Sequence, residues 1–411
     1  MKKKDSVLYI SYDGMTDPLG QSQVLPYLTK LSEEYDIHIL SAEKEENYKL
    51  RKNVIEQICA EHNINWHPIN YTKTPPVVST IKDILNLRKT TFKLHQKYHF
   101  KILHCRSYIA ALVGLEMKRK HGTKFIFDMR GFWADERVDG NIWNISNPVF
   151  KRIYNYFKKK EIQFFQQADY TVSLTEAGKK EILSWPVFKS NPPKIEVIPC
   201  CADLDHFSPN NVQPKLVESF RKELDLTQED FVISYLGSIG TWYMLDEMLD
   251  FFKVLNQHQP NAKFLFITGD NPNDILNAVE RKNITKNSIR IIRGERKDLP
   301  SLISVSHVSI FFIKPAYSKK ASSPTKQAEL LALGIPIICN GNVGDTGDII
   351  LNNKAGYVLN EFNNDTYEKC LSQLDQITQL DKSHLREVAK SYASLTIGAD
   401  RYLKIYQKVL E

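Results

Sequence analysis

Ser322-Ser323-Pro324-Thr325-Lys326-Gln327-Ala328-Glu329-Leu330-Leu331-Ala332-Leu333-Gly334-Ile335-Pro336 lies between apolar runs at 308–313 and 335–339. It reads as the helix of a strand-helix-strand unit. Ser323 is placed to cap the helix with its hydroxyl, and Pro324 suits a first helical position whose N–H has no partner. Gly334 and Pro336 stop the helix at its far end. A helix start emerging from the end of a buried strand directs free N–H groups and a partial positive charge at a crevice, with Lys326 one turn in. Such a start suits a phosphate. Glu329 follows Lys326 by three residues and Thr325 by four, so the three share one side while Ala328, Leu331 and Ala332 turn inward. A carboxylate there can accept hydrogen bonds from a ribose diol. On this segment alone a solvated Lys326–Glu329 pair on an ordinary crossover helix is an equal reading.

Upstream of this unit the same pattern repeats. A strand at 231–236 runs into Gly237-Ser238-Ile239-Gly240 and a helix over 245–255; a strand at 264–268 ends in Gly269-Asp270-Asn271-Pro272; a strand at 289–292 ends in Arg293-Gly294-Glu295-Arg296. The first half opens with a strand at 7–13, a turn-rich loop from Gly14 to Gly20, and a helix from about Gln21 carrying Val24, Leu25, Leu28 and Leu31. Its glycine spacing is not G-x-G-x-x-G, which disfavours a dinucleotide site. Further apolar runs at 37–40, 102–103, 125–127, 170–174 and 195–198 alternate with helical stretches such as 81–98 and 150–167. This alternation predicts parallel sheets covered on both faces, with functional residues in loops after the strands. By that rule His104-Cys105-Arg106-Ser107, Asp128-Met129-Arg130-Gly131-Phe132-Trp133 and Thr175-Glu176 stand out. His104 is better read as a satisfied core histidine, and Asp128 with Arg130 can be a structural ion pair. The polar run from Asn210 to Pro214 reads as a linker.

Length and composition bound the answer. A chain of 411 residues suits two domains of about 200 residues each. Hydrophobic content of 42 % and charged content of 25 % are those of a soluble globular protein. No apolar run approaches the roughly 18 residues that span a bilayer, and the N-terminus lacks a signal-peptide pattern, so an intracellular location is expected. The six cysteines have neither paired C-x-x-C spacing nor disulfide density and read as reduced, mostly buried thiols; a zinc site is not expected. A net charge of +7 favours phosphorylated substrates or an anionic membrane face over nucleic acid. The basic clusters Lys2 to Lys4, Lys118 to Lys120 and Lys158 to Lys160, with Phe150, Tyr154 and Phe157, are candidates for peripheral contact with a membrane. A solvated helix face explains them equally well.

With these motifs in order, the second half resembles the donor domain of retaining glycosyltransferases of the GT-B fold, family 4. The resemblance is carried by Ile198-Pro199 with Asp203-Leu204-Asp205-His206-Phe207-Ser208-Pro209, by Tyr235-Leu236-Gly237-Ser238, by the 269–272 turn, and by Ser323-Pro324-Thr325-Lys326 through Glu329, Ala332, Gly334 and Pro336. In the first half, Asp13-Gly14, Asp17-Pro18-Leu19-Gly20-Gln21 and the 128–133 segment are similar to a branch found in bacterial polysaccharide gene clusters. The resemblance implies two Rossmann-like domains facing a cleft. They are an acceptor domain (1–205) and a donor domain (206–390), with a C-terminal helix (391–411) returning to the first. It implies transfer of a sugar from a nucleotide diphosphate donor to a saccharide or lipid-linked acceptor with retention of anomeric configuration. No metal or other cofactor, and no nucleic acid partner, is implied. By position, Glu329 would bind the ribose, Gly237, Ser238 and Gly269 would line the donor site, the 323–326 turn with Ser323 and Thr325 would take a phosphate, and Arg293 and Glu295 would border the base. Asp13, Gly14, Gly20 and Arg106 fall on the acceptor side, where Asp13, Asp17 and Asp128 would orient the acceptor.

The chain also departs from that pattern. Ala321 stands where the family has a first glutamate, Ser238 where it has an arginine, Tyr243 and Met244 where it has a lysine, and Arg106 where it has a histidine. The expectation is that Lys326 meets the charge of the leaving diphosphate, helped by Lys314 and Arg130. The missing cations keep alive a non-catalytic partner protein of the same fold. A sugar-nucleotide epimerase is the other alternative.

Overall fold

The computed structural model describes residues 4–75 and 77–411, so Lys2 and Lys3 of the first basic cluster lie outside the described residues. The chain divides into two compact units: the residues up to Cys200 together with Leu395–Glu411, and Cys201–Ser394.

The first unit is built on a seven-stranded sheet of β1 (Ser6–Ser11), β2 (Asp36–Glu43), β3 (Asn65–Asn70), β4 (Ile102–Arg106), β5 (Lys124–Asp128), β6 (Tyr170–Ser173) and β7 (Ile195–Val197). Its strand order is β3-β2-β1-β4-β5-β6-β7, and every pairing is parallel. Val7, Leu8, Ile10, Ile37, Ile39, Ile102 and Leu103 are fully buried, as strands covered by helices on both faces require. The helix Leu395–Leu410 belongs to this unit. It packs Tyr402 edge-on against Tyr27 and Tyr406 against Tyr35, and Arg401 donates to the Val197 carbonyl over 2.6 Å.

The second unit carries β8 (Phe231–Leu236), β9 (Ala262–Ile267), β10 (Ile289–Ile292), β11 (Val308–Phe311), β12 (Ile337–Asn340) and β13 (Gly356–Leu359), in the order β10-β9-β8-β11-β12-β13. Both sheets therefore reverse direction of growth beside their first strand, between β1 and β4 and between β8 and β11. In doubly wound sheets this switch point, at the strands' carboxyl ends, is where a crevice opens for a ligand.

Several local expectations change. The quoted helix spans Thr325–Ala332, with Pro324 rather than Ser323 at the N-cap and no side-chain cap bond. A 3₁₀ turn, Tyr317–Ala321, fills the approach to it. Gly334 takes φ +74°, and a Cβ there would sit 2.6 Å from Cβ of Lys382, so the stop is fixed by conformation and by packing. Where one helix was expected from Gln21 there are two short ones, Pro18–Gln23 and Leu25–Leu31. Gly20 thus lies inside a helix, at a position where a Cβ would fall 2.3 Å from the Gly14 carbonyl oxygen. His104 and Cys105 belong to β4 itself rather than to the loop after it. The 210–214 linker contains a 3₁₀ turn, Pro209–Asn211, and the start of the helix Pro214–Glu223. The cysteines are free, and all except the half-buried Cys200 are buried. No helix among the described residues is long and apolar enough to cross a membrane.

Candidate functional site

At the switch point of the second unit, β8 ends at Leu236 and Gly237 turns with φ +111°. A Cβ here would lie 3.0 Å from Nζ of Lys326, so the turn needs glycine for its conformation and for what it covers. The Asp270 carboxylate closes the loop by accepting from Ser238 Oγ at 2.9 Å and from the Ile239 amide at 2.6 Å. Tyr235 donates its hydroxyl hydrogen to the Ser238 carbonyl. Beneath this loop Lys326 is 8 % exposed. Its ammonium donates to Tyr235 Oη over 3.2 Å and lies 4.3 Å and 3.8 Å from the ring centres of Tyr235 and Tyr243. Among the described residues no carboxylate comes within ion-pair distance of it. The tyrosine standing near the family's lysine position thus forms part of the cage around a lysine from the other side of the switch point.

Glu329, one turn further along the Thr325–Ala332 helix, is half-buried. Burial pushes its carboxyl up to about 7, opposed by Arg296 and Lys326 and reinforced by Asp203. Burial likewise brings Lys326 down to about 7, with Glu329 pulling it the other way. Arg296 reaches Asp203 at 3.6 Å and covers the Phe207 ring, while His206 Nε2 lies 2.8 Å from the Arg296 carbonyl. Glu329, Arg296 and Asp203 are therefore one electrostatic group. Arg293 and Glu295 are exposed, Ser323 and Thr325 are half-buried in the turn leading into the helix, and Gly269 has open space where a Cβ would be. Ala321 is buried at 1 % exposure, and Lys314 is exposed on the strand-end segment that pairs with Trp242. Sequence reasoning passed over Lys319, which is 6 % exposed and lies 3.6 Å from the Trp242 ring centre.

These two groups set a pH dependence. A diphosphate held by Lys326 would need the lysine protonated, which holds below about 7, and a ribose diol held by Glu329 would need the carboxyl ionised, which holds above about 7. Nucleoside diphosphate affinity is expected to peak near neutrality. It should fall by up to about tenfold per pH unit on the alkaline side until the pKa of the liganded lysine is reached. Calorimetric titration with ADP, GDP and UDP, in buffers of different ionisation enthalpy, reads both limbs. A flat profile from pH 6 to 9 would remove both roles.

In the first unit the loops after β1, β4 and β5 meet in a buried charge network. Asp128, 1 % exposed, accepts from Tyr402 Oη at 3.1 Å, and its oxygens lie 3.5 Å from His104 Nε2 and 3.8 Å from Arg130 Nη1. His104 Nδ1 and Tyr406 Oη are 2.8 Å apart. Arg130 takes a left-handed φ of +56° ahead of Gly131 and donates to Cys200 Sγ at 3.2 Å. Arg106, 4 % exposed, reaches Asp13 at 3.4 Å and keeps Nη1 buried without a hydrogen-bond partner. Asp128 is thus a positioning group for Arg130 and His104 with its carboxylate turned away from solvent, while Asp13 is the carboxylate at the open edge. Gly14 lies against Glu43, which sequence reasoning missed: this buried carboxylate accepts from the amides of Met15 and Thr16 and fixes the loop. Asp17, read as an acceptor-orienting group, accepts from Lys44 at 2.7 Å and from Asn47 at 2.5 Å.

The basic clusters are also placed differently. Lys118, Lys120 and Lys158 pair with Asp169, Glu116 and Asp135, each at 2.7 Å. Phe157 is buried, and Tyr154 donates to Asp135. These side chains are engaged within the fold by the pairs named.

Comparison with known proteins agrees with this architecture. Residues 27–206 match the family described as Glycosyltransferase Family 4, and residues 217–392 match Glycosyl transferases group 1. No curated protein matches the chain at a significant level. Among solved structures, a glycosyltransferase from Rickettsia africae ESF-5 is 18 % identical with a TM-score of 0.70, each chain covering 99 % of the other. A sucrose-phosphate synthase from Thermosynechococcus elongatus is 13 % identical with a TM-score of 0.72 at the same coverage. Anabaena Alr3699/HepE, in complex with UDP-glucose, is 10 % identical with a TM-score of 0.69, covering 98 % of this chain and 99 % of its own. With two parallel-sheet units and both halves of the chain matched, the protein has the GT-B fold of glycosyltransferases, a family 4 domain followed by a group 1 domain.

Proposed function

We propose that the protein is a retaining glycosyltransferase that moves a sugar from a nucleotide diphosphate donor to a saccharide or lipid-linked acceptor. The setting we propose is bacterial surface polysaccharide synthesis at the cytoplasmic face of the membrane. The observation that carries this reading is the Lys326 ammonium, desolvated beneath Gly237 and with no ion pair among the described residues, with Glu329 one turn away on the same helix. An arrangement of this kind has a cation ready for a diphosphate and a carboxylate for a ribose. The UDP-glucose complex of Anabaena Alr3699/HepE supports a nucleotide sugar as the donor class.

In the reaction the bond from the anomeric carbon to the diphosphate oxygen breaks and one to the acceptor oxygen forms on the same face. The acceptor's hydroxyl proton passes to an oxygen of the departing diphosphate, so the leaving group is also the base. Lys326 and the first-turn amides of the Thr325–Ala332 helix stabilise the charge that develops on that diphosphate. No metal is needed in this scheme. The Glu329–Arg296–Asp203 group orients the nucleoside. On the acceptor side, Asp13 and Arg106 hold the hydroxyl, with Asp128 fixing Arg130 behind them.

Saturation-transfer NMR of the protein with a mixed panel of UDP-, GDP-, ADP- and CMP-sugars tests the donor half. One donor is expected to bind, and Glu329→Ala should weaken it about ten- to a hundredfold, the loss of hydrogen bonds to a charged group. If no member of the panel binds, the weight moves to a non-catalytic partner of the same fold. Interconversion of a bound nucleotide sugar without an acceptor would identify an epimerase instead.

A further inference from the structure

The first unit contains a cavity of about 850 Å³ that the donor chemistry does not use. Ile109 and Leu112 of the helix Ser107–His121 line it, with Ile81, Ile84 and Leu85 of the helix Val78–Tyr98. Ile142, Trp143, Phe150 and Ile153 line it from the segment leading into, and the first turns of, the helix Pro148–Gln167. Its size is in the upper range of small-molecule sites. Tyr12, directly after β1, and Tyr71, directly after β3, also line it, and so does Trp133, which closes the loop after β5. The cavity therefore reaches the carboxyl-end edge of the sheet, where Asp13 is the residue next to Tyr12.

Its rim is apolar where a globular protein is ordinarily polar. Among its lining residues Ile81 and Leu85, spaced to share one helix face, are 53 % and 55 % exposed and Ile142 is 55 % exposed; near them in the chain, Val78, Ile145 and Val149 are 62 %, 46 % and 55 % exposed. A patch of this kind marks a surface that works covered. The charge of the lining selects what covers it. Lys73, Arg137 and Arg152 line the cavity together with no carboxylate, and the Arg137 guanidinium is held 4.8 Å from the Trp133 ring centre. Largely apolar walls whose charged lining residues are all cations fit a chain that ends in an anion.

We propose that this cavity takes the hydrocarbon chain of a phosphate-linked lipid, with Lys73, Arg137 and Arg152 available to its phosphate and the carried sugar directed to Asp13 at the strand edge. This makes the acceptor of the proposed transfer a lipid-linked one. It rests on the glycosyl-transfer reading only for the identity of what the lipid carries.

Binding is measured without any nucleotide sugar, by the fluorescence of Trp133 and Trp143, using hexyl, octyl, decyl and dodecyl phosphate below their micelle concentrations. Inorganic phosphate and dodecanol are the controls. Affinity is expected to rise about fourfold per methylene until the cavity is filled, as burial of each methylene predicts. Inorganic phosphate should not bind measurably, and dodecanol should bind at least tenfold more weakly than dodecyl phosphate. Leu112→Trp, which fills the floor, should weaken dodecyl phosphate at least tenfold. Because a bulky floor substitution can disturb folding, the exposed Arg152→Glu serves as the second variant and should weaken dodecyl phosphate more than dodecanol. Affinity that does not change with chain length overturns the proposal. So does binding confined to vesicles of anionic phospholipid and unchanged in Leu112→Trp, which would make the patch a flat membrane contact. Concentration-dependent dimerisation that buries Trp143 and blocks the alkyl phosphates would overturn it too, assigning the patch to a second copy of the chain. Nucleotide-sugar binding in the absence of alkyl phosphate binding would remove the lipid class and leave glycosyl transfer standing.

Discussion

Lys326→Met is expected to lower turnover about a hundred- to a thousandfold, the range for removing one preorganised group that stabilises developing negative charge, while making the protein more stable at neutral pH. Methionine fills the space between the rings of Tyr235 and Tyr243, and no carboxylate is left stranded because none among the described residues is paired with the ammonium. Removing a buried charge in favour of an apolar group should stabilise the fold by about 1–3 kcal/mol once the lost cation–π contacts are set against it. The sign with pH follows from the lysine's folded value of about 7, below the ordinary 10.5. Between these values the unfolded chain binds more protons than the folded one, so the wild type gains stability as pH rises from 7 to 10.5. The stability advantage of Lys326→Met should shrink over that same window. Steady-state kinetics with the donor identified by NMR, and urea melts at pH 7 and pH 10, read the two effects. Near-normal turnover in Lys326→Met would sink the assignment of this lysine to the leaving group.

The opposite pattern is expected at Asp128. Asp128→Ala leaves the guanidinium of Arg130 and the ring of His104 buried without their shared carboxylate, and deprives Tyr402 of its acceptor. Breaking a buried pair from one side costs about 3–5 kcal/mol, which corresponds to a fall in Tm of roughly 6–20 °C for a unit of this size. Burial raises the Asp128 carboxyl, but Arg130, His104 and Arg106 outweigh it and hold it below the usual range. Its contribution is therefore present above the ordinary aspartate value and lost as pH falls through the lower folded one. The gap in Tm between Asp128→Ala and wild type should accordingly close toward strongly acidic pH. Asp128→Asn, which keeps the shape and an acceptor for Tyr402, should lose less. A Tm for Asp128→Ala within about 2 °C of wild type would show that the network carries no load of this size.

The comparison of sequence with structure turns on which interactions are local. The unit around Ser322 to Pro336 was legible because apolar runs, a helical period and stops at Gly334 and Pro336 are short-range signals, and the structure returns it as β11, the Thr325–Ala332 helix and β12. Two edge strands gave no such signal. β3, Asn-Trp-His-Pro-Ile-Asn, is half-exposed, and its Pro68 is tolerated at the sheet's edge, so no apolar run marks it. β13 is short and opens on Gly356, whose Cβ would fall 1.9 Å from the Ile337 carbonyl oxygen.

By itself the sequence determined the class of both sheets, the glycine turn at 237, and the placement of Lys326 and Glu329 on one side of a helix, because periodicity and turn chemistry act within a few residues. Only the tertiary structure decided what those residues are chemically. Lys326 meets Tyr235 from 91 residues away, Asp128 meets Tyr402 across 274, and His104 meets Tyr406 across 302. Desolvation depends on everything packed around a group rather than on its neighbours in the chain, so a lysine whose sequence left a phosphate site and a solvated pair equally open becomes in the fold a buried ammonium brought down to about 7.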